Sequence, residues 1–226
     1  MTDDDRNRAA RERVTVTEPS TLVFDLDGTI SDNSVGIVRS INYALTAFGY
    51  EDVAEDAAAQ YIGPPLDSVF SRITRTDAPD RIRDLVLKFR ERYSDVGYAE
   101  NTLYTGIPEV LQHLSSRGIQ MGLCTGKRAD FAERILTMFG LRDHFAFVRG
   151  GNLGVQKEDQ LRDLLAERAI EARSIMIGDR AVDITAARSN GLRSVGVLWG
   201  HGSKQELEDA APDRVIEVPH QMTDLV

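Results

Sequence analysis

The sequence predicts an α/β fold: a parallel sheet covered by helices on both faces, with an all-helical module inserted after the first strand. Three observations carry that expectation. From Tyr104 onward, short apolar runs alternate with segments of helical periodicity; several of these runs stop at a glycine or a polar residue; and Glu51 to Leu103 shows helical patterning with no strand alternation. A composition of 42% hydrophobic and 28% charged residues is that of a globular chain able to bury a real core.

Residues 1–19 are rich in Asp, Arg and Thr and nearly devoid of apolar side chains, so they are expected to form a disordered tail. Thr21-Leu22-Val23-Phe24 then reads as a strand buried on both faces. Val35, Val38, Ile41, Leu45 and Phe48 recur at helical spacing up to Gly49, and Ile82, Leu85, Val86, Phe89 and Tyr93 make a second stripe. Between them, Tyr61-Ile62-Gly63-Pro64-Pro65-Leu66 is a rigid interruption. Ile107 to Arg117 is a helix with Pro108 in its first turn and Gly118 after it. The strands Gln120–Cys124, Phe145–Val148, Ser174–Ile177 and Ser194–Leu198 follow, separated by helices at about 129–139, at Leu161, Leu164, Leu165 and Ala169, and up to Asn190-Gly191.

Asp25 and Asp27 stand one residue apart where the first strand leaves the sheet, at the turn that Gly28 marks. Open α/β sheets bind ligands outside the carboxyl ends of their strands. Two crowded carboxylates call for a cation or a shared proton. The dipeptide spacing alone fits two readings, a metal site or a turn whose Asp caps the next helix. Other strand ends add Thr125-Gly126 with Lys127, Lys157 at the start of a helix, and Asp179 with Asp183. Such a carboxylate set suits Mg2+, which prefers oxygen ligands, while a hydroxyl and an ammonium suit phosphate oxygens.

Asp25-Leu26-Asp27-Gly28-Thr29, the strand ending in Thr125, Lys157, and the segment from Gly178 to Asp183 resemble the four ordered motifs of the haloacid dehalogenase-like hydrolases. The resemblance spans residues 21 to about 210. It implies a Rossmann-like core over 20–31 and 104–226 and a helical cap over 32–103. Asp25 would be the nucleophile and a Mg2+ ligand. Asp27 would be the general acid and base, lending its main-chain carbonyl to the metal. Thr125, Gly126 and Lys157 would hold the phosphoryl group, and Asp179 would bind Mg2+, with Asp183 as a ligand or a supporting partner. An acid at position 27 separates phosphatases and phosphomutases from the metal-free dehalogenases of this superfamily. The segment Tyr61–Leu66 is similar to the cap loop of phosphoglycolate phosphatases and 5'-nucleotidase-like relatives, with Pro64 and Pro65 where phosphosugar mutases usually carry an Arg. Arg128 departs from the pattern, standing where a Pro often follows the lysine of the second motif.

The expected activity is therefore Mg2+-dependent hydrolysis of a small phosphorylated metabolite such as phosphoglycolate or a nucleoside monophosphate, through an aspartyl-phosphate. The alternatives are phosphoryl transfer, as in a phosphomutase or a protein kinase-like enzyme, and a catalytically weak regulatory protein. Tyr61 and Arg72 could reach substrate from the cap or serve as ordinary cap-core and solvated residues. Lys127 reads as a solvent-facing helix-start residue, His113, His144, His201 and His220 as surface or capping residues, and Trp199 as a pocket rim or a loop anchor. Cys124 reads as an inert, packed thiol. A net charge of −9 argues against a nucleic acid polymer as partner. The charged first residues lack a signal peptide's apolar run, no stretch is long enough to span a membrane, and one cysteine allows no internal disulfide, so a cytoplasmic monomer or homodimer is expected.

Overall fold

The computed structural model describes residues 20–54, 60–151 and 155–226; the tail expected over 1–19 lies outside them. Strand β1 (Leu22–Phe24) lies at the centre of a six-stranded sheet between β4 (Met121–Cys124) and β6 (Ile175–Gly178). The full order is β5 (Phe147–Arg149), β4, β1, β6, β7 (Arg193–Val197) and β8 (Arg214–Ile216), and every pair is parallel. Parallel neighbours need crossovers. The helices α4 (Ile107–Ser116), α5 (Ala129–Met138), α6 (Lys157–Ala166), α7 (Ala181–Ser189) and α8 (Lys204–Ala210) alternate with the strands and supply them.

The two faces of β1 enter different clusters. Leu22 and Phe24 pack with Ile107, Leu111, Ile135 and Ile177, whereas Val23 packs with Leu161, Leu164 and Met176. All three strand residues are fully buried, which explains an apolar run with no alternation. Each such side chain contributes about 1.5–3 kcal/mol relative to leaving it in water. Phe24 pairs in register with both Leu123 and Ile177, so the three central strands end within one residue of each other and bring Asp25, Thr125 and Asp179 to the same end of the sheet.

Helices α1 (Ser34–Ala47), α2 (Leu66–Thr74) and α3 (Pro79–Asp95) form a separate helical layer around Ile41, Leu45, Phe70, Leu85 and Phe89. The chain enters and leaves this layer through an antiparallel pair, β2 (Ser31–Asp32) with β3 (Thr102–Leu103). Arg92 clamps Glu100 there with hydrogen bonds of 2.7 and 3.0 Å.

Four features differ from the sequence expectation. Strands β2 and β3 are two residues each, too short to show a period of two, and so the stretch expected to be free of strands ends in one. Strand β8 was masked by its polar flanks. Strand β5 starts two residues later than expected because Phe145 leaves the sheet line to meet Phe24 edge-on, ring centres 6.0 Å apart. Helix α6 ends at Ala166, and Ala169 packs from the following turn.

Candidate active site

The bend after β1 is fixed by its backbone. The amide of Asp25 donates to the carbonyl of Ile177 at 2.9 Å, and those of Ile30 and Ser31 return to the carbonyl of Leu26. Gly28 adopts φ +84°, and a Cβ there would lie 2.2 Å from Oδ2 of Asp179. Only glycine lets the turn approach that carboxylate.

Asp25, Asp179 and Asp183 each bring a carboxylate oxygen to within 4.8 Å of the others, and all three are buried. The Lys157 ammonium sits among them, 3.1 Å from Oδ1 of Asp25 and in direct contact with Oδ1 of Asp183. Burial works against its charge, but Asp183 and Asp25 outweigh that cost and hold Lys157 above its ordinary range. Asp183 uses its other oxygen to accept the Arg180 amide at 3.1 Å, at the first turn of α7. Asp179 accepts from the Thr29 hydroxyl at 3.1 Å and from the His201 amide at 2.9 Å. Burial, then the neighbouring Asp25, pushes its carboxyl up to about 6. These three carboxylates carry more negative charge than Lys157 neutralises, and every candidate ligand atom is a hard oxygen. Asp25 and Asp179, with Asp183 close behind them, fit a divalent cation, which would supply the missing charge.

Asp27 points elsewhere. Its Oδ2 pairs with Lys127 at 2.9 Å, and its Oδ1 is buried with no hydrogen-bond partner. Burial raises its carboxyl, Lys127 pulls it back, and Asp25 raises it again, for a net rise. A carboxyl held partly toward its protonated form, with one oxygen free, can give and take a proton. Thr125 is buried at the end of β4, where its hydroxyl accepts the Lys127 amide at 3.2 Å. Nothing lies within 4 Å of a Cβ built on Gly126, so the space above it is open to a ligand.

Asp25, Asp27, Thr125, Gly126, Lys157 and Asp179 line one cavity of about 330 Å3, together with Lys127, Arg180 and His201. Two of these reverse the sequence reading. Lys127 is not solvent-facing: its side chain is 7% exposed, between Asp27 and the Tyr93 hydroxyl, the latter at 2.6 Å. His201 is likewise buried beside Asp32, its Nε2 4.0 Å from Oδ1. Spacing alone hid both, since their partners come from the bend after β1, from β2 and from α3. Trp199 is a loop anchor, donating from Nε1 to the Thr29 carbonyl at 3.1 Å. Cys124 packs as expected, its thiol pushed up to about 12 by burial. Tyr61 lines a chamber adjoining Asp27, while Arg72 does not line either chamber; it donates to the Gln60 carbonyl at 2.6 Å and faces a groove between α2 and α3.

Arg180 fastens the helical layer to the sheet. It donates from Nη1 to the Ile62 carbonyl at 3.0 Å and from Nε to Glu206 at 2.8 Å. Gly63, at φ +103°, would place a Cβ 2.6 Å from Nη1. Gly63→Ala is therefore expected to lower stability by about 1–2 kcal/mol through the left-handed backbone, read from the urea midpoint; an unmoved midpoint would show that the loop relaxes without cost.

Residues 22–197 match the family model described as haloacid dehalogenase-like hydrolase. A Pseudomonas aeruginosa protein named 5'-nucleotidase is 36% identical, over 84% of this chain and 88% of its own length. A Vibrio parahaemolyticus phosphoglycolate phosphatase is 29% identical over 91% of this chain and 95% of its own. The Mycobacterium tuberculosis tyrosine-protein kinase PtkA is 34% identical over 81% of this chain, which spans 64% of the length of that relative. A solved PtkA structure superposes with a TM-score of 0.78 at 29% identity, over 92% of this chain and 99% of that one. The chain belongs to the haloacid dehalogenase-like hydrolases, and within them to the phosphoric monoester hydrolases.

Proposed function

We propose that this enzyme hydrolyses a small phosphorylated metabolite in a Mg2+-dependent reaction through an aspartyl-phosphate on Asp25. The observation that carries the reading is the approach of Asp25, Asp179 and Asp183 to within 4.8 Å around a buried lysine, at the mouth of a cavity. Mg2+, held by Asp25, Asp179 and the Asp27 carbonyl, would neutralise charge on the phosphoryl oxygens and the carboxylates. Asp183, both oxygens engaged, supports Lys157 and the turn of Arg180.

A carboxylate oxygen of Asp25 attacks phosphorus; the new O–P bond forms as the ester P–O bond breaks, and the leaving oxygen takes the proton of Asp27. Asp27, now ionised, removes a proton from water, which attacks the aspartyl-phosphate at phosphorus. Inorganic phosphate leaves and Asp25 is regenerated. Thr125 can donate its hydroxyl hydrogen to a phosphoryl oxygen, because the Lys127 amide takes up only one of the hydroxyl's lone pairs. Gly126 gives the group room and Lys157 balances its charge. The helices of residues 32–103 serve as a cap that excludes bulk water during transfer, with Tyr61 facing the leaving group. No helix among the described residues is long and apolar enough to cross a membrane, and we place the enzyme in the cytoplasm as a monomer or homodimer.

Screening Mg2+-dependent hydrolysis of phosphoglycolate, nucleoside monophosphates, sugar phosphates and phosphotyrosine tests the reading. Inorganic phosphate release from one class is expected, abolished by chelation. The similarity to PtkA favours a second reading, phosphoryl transfer to a protein; labelled phosphate recovered on an acceptor protein rather than in water would establish that instead.

A further inference from the structure

A second chamber of about 240 Å3 shares Asp27 and Lys127 with the first but not Asp25 or Asp179. On the reading above it lies where the leaving group must go, since Asp27 delivers the leaving group's proton. Its charge is distinctive in a chain of net charge −9: Lys127, Arg128 and Arg90 line it against the single carboxylate of Asp27. Lys127 is taken up by Asp27, and Arg128 by Asp130 at 2.8 Å. Arg90, on α3, has no hydrogen bond or ion pair with any described residue.

The chamber also holds aromatic rings, which would suit a nucleobase if their faces were free. They are in use. Phe89 stacks on Tyr93 with centres 5.4 Å apart, Lys127 lies 4.9 Å over Tyr93, Arg128 lies 5.2 Å over Phe131 and Arg72 lies 5.6 Å over Tyr61. A base would have to displace one of these contacts, whereas an anion would meet a guanidinium with no hydrogen bond or ion pair among the described residues. Asn33 adds a buried Oδ1 with no hydrogen bond, an acceptor for a hydroxyl of the leaving group.

We infer that the preferred substrate is a phosphomonoester whose alcohol carries a second anionic group, a carboxylate or a further phosphate, and that Arg90 binds that group. The inference rests on the phosphatase reading, and the test separates the two. Turnover of 2-phosphoglycolate (carboxylate) and of a hexose bisphosphate (phosphate) is compared with that of phenyl phosphate and AMP. Wild-type enzyme is expected to prefer one of the two anionic esters, the preferred arm identifying the source of the anion. Arg90→Gln should lower kcat/KM for that ester relative to phenyl phosphate by about 10- to 100-fold, the range of a lost charged hydrogen bond, chiefly through KM. Arg90→Lys should retain part of the preference. Arg83→Gln, which removes an exposed partner of Asp80 on the same helix, should leave the ratio unaltered. Preference for AMP, or an unchanged ratio in Arg90→Gln, would overturn the inference and leave the phosphatase reading standing. No turnover of any ester would overturn both.

Discussion

Asp25→Asn is expected to reduce phosphatase turnover by about 10^4- to 10^6-fold, the loss seen when a nucleophile that acts as part of a unit is removed, while leaving the fold in place. The amide keeps the shape of the carboxylate and cannot attack phosphorus. The backbone of residue 25 is held independently of the side chain by its bond to Ile177, and Leu22 to Phe24 remain buried. Circular dichroism and the urea midpoint should therefore stay close to wild type as activity disappears. Retained Mg2+-dependent hydrolysis of an aryl phosphate by this variant would refute the nucleophilic role.

Lys157→Met should produce the largest stability change in the site. Methionine matches the length of lysine but leaves Asp25 and Asp183 buried without their cation. Breaking one side of a buried pair costs about 3–5 kcal/mol because the remaining charge is uncompensated. The deficit should depend on metal: a cation bound only to the folded state stabilises by mass action, and it now also replaces the lost ammonium. Thermal denaturation with and without Mg2+ should show a larger upward shift in the variant than in wild type. Equal shifts in the two proteins would mean that the lysine and the metal do not act on the same carboxylates.

The sheet was legible because each central strand is buried on both faces and ends abruptly in polar residues; Phe24 before Asp25 and Ile177 before Gly178 and Asp179 carry that pattern openly. Pairing order then brings those ends together, which is why residues some 150 positions apart, such as Thr29 and Asp179, share a hydrogen bond. Lys127 and His201 were illegible for the opposite reason. Their burial is made by Tyr93 on a helix and by Asp32 on a two-residue strand, and nothing local in the sequence marks either contact. The same applies to Arg180, whose clamp on Ile62 crosses from the sheet to the helical layer. Arg72, which the sequence leaves open between a substrate contact and a solvated residue, lies over the Tyr61 ring at 5.6 Å and lines the groove between α2 and α3.

The most direct test is rapid quenching of a single turnover followed by borohydride reduction, which converts an aspartyl-phosphate to homoserine. The expected result is homoserine at position 25 in the peptide carrying Thr21 to Thr29, appearing and decaying with phosphate release and absent from Asp25→Asn. Complete phosphate release with Asp25 unmodified throughout, or modification at Asp27 instead, would contradict the assignment of the two acids.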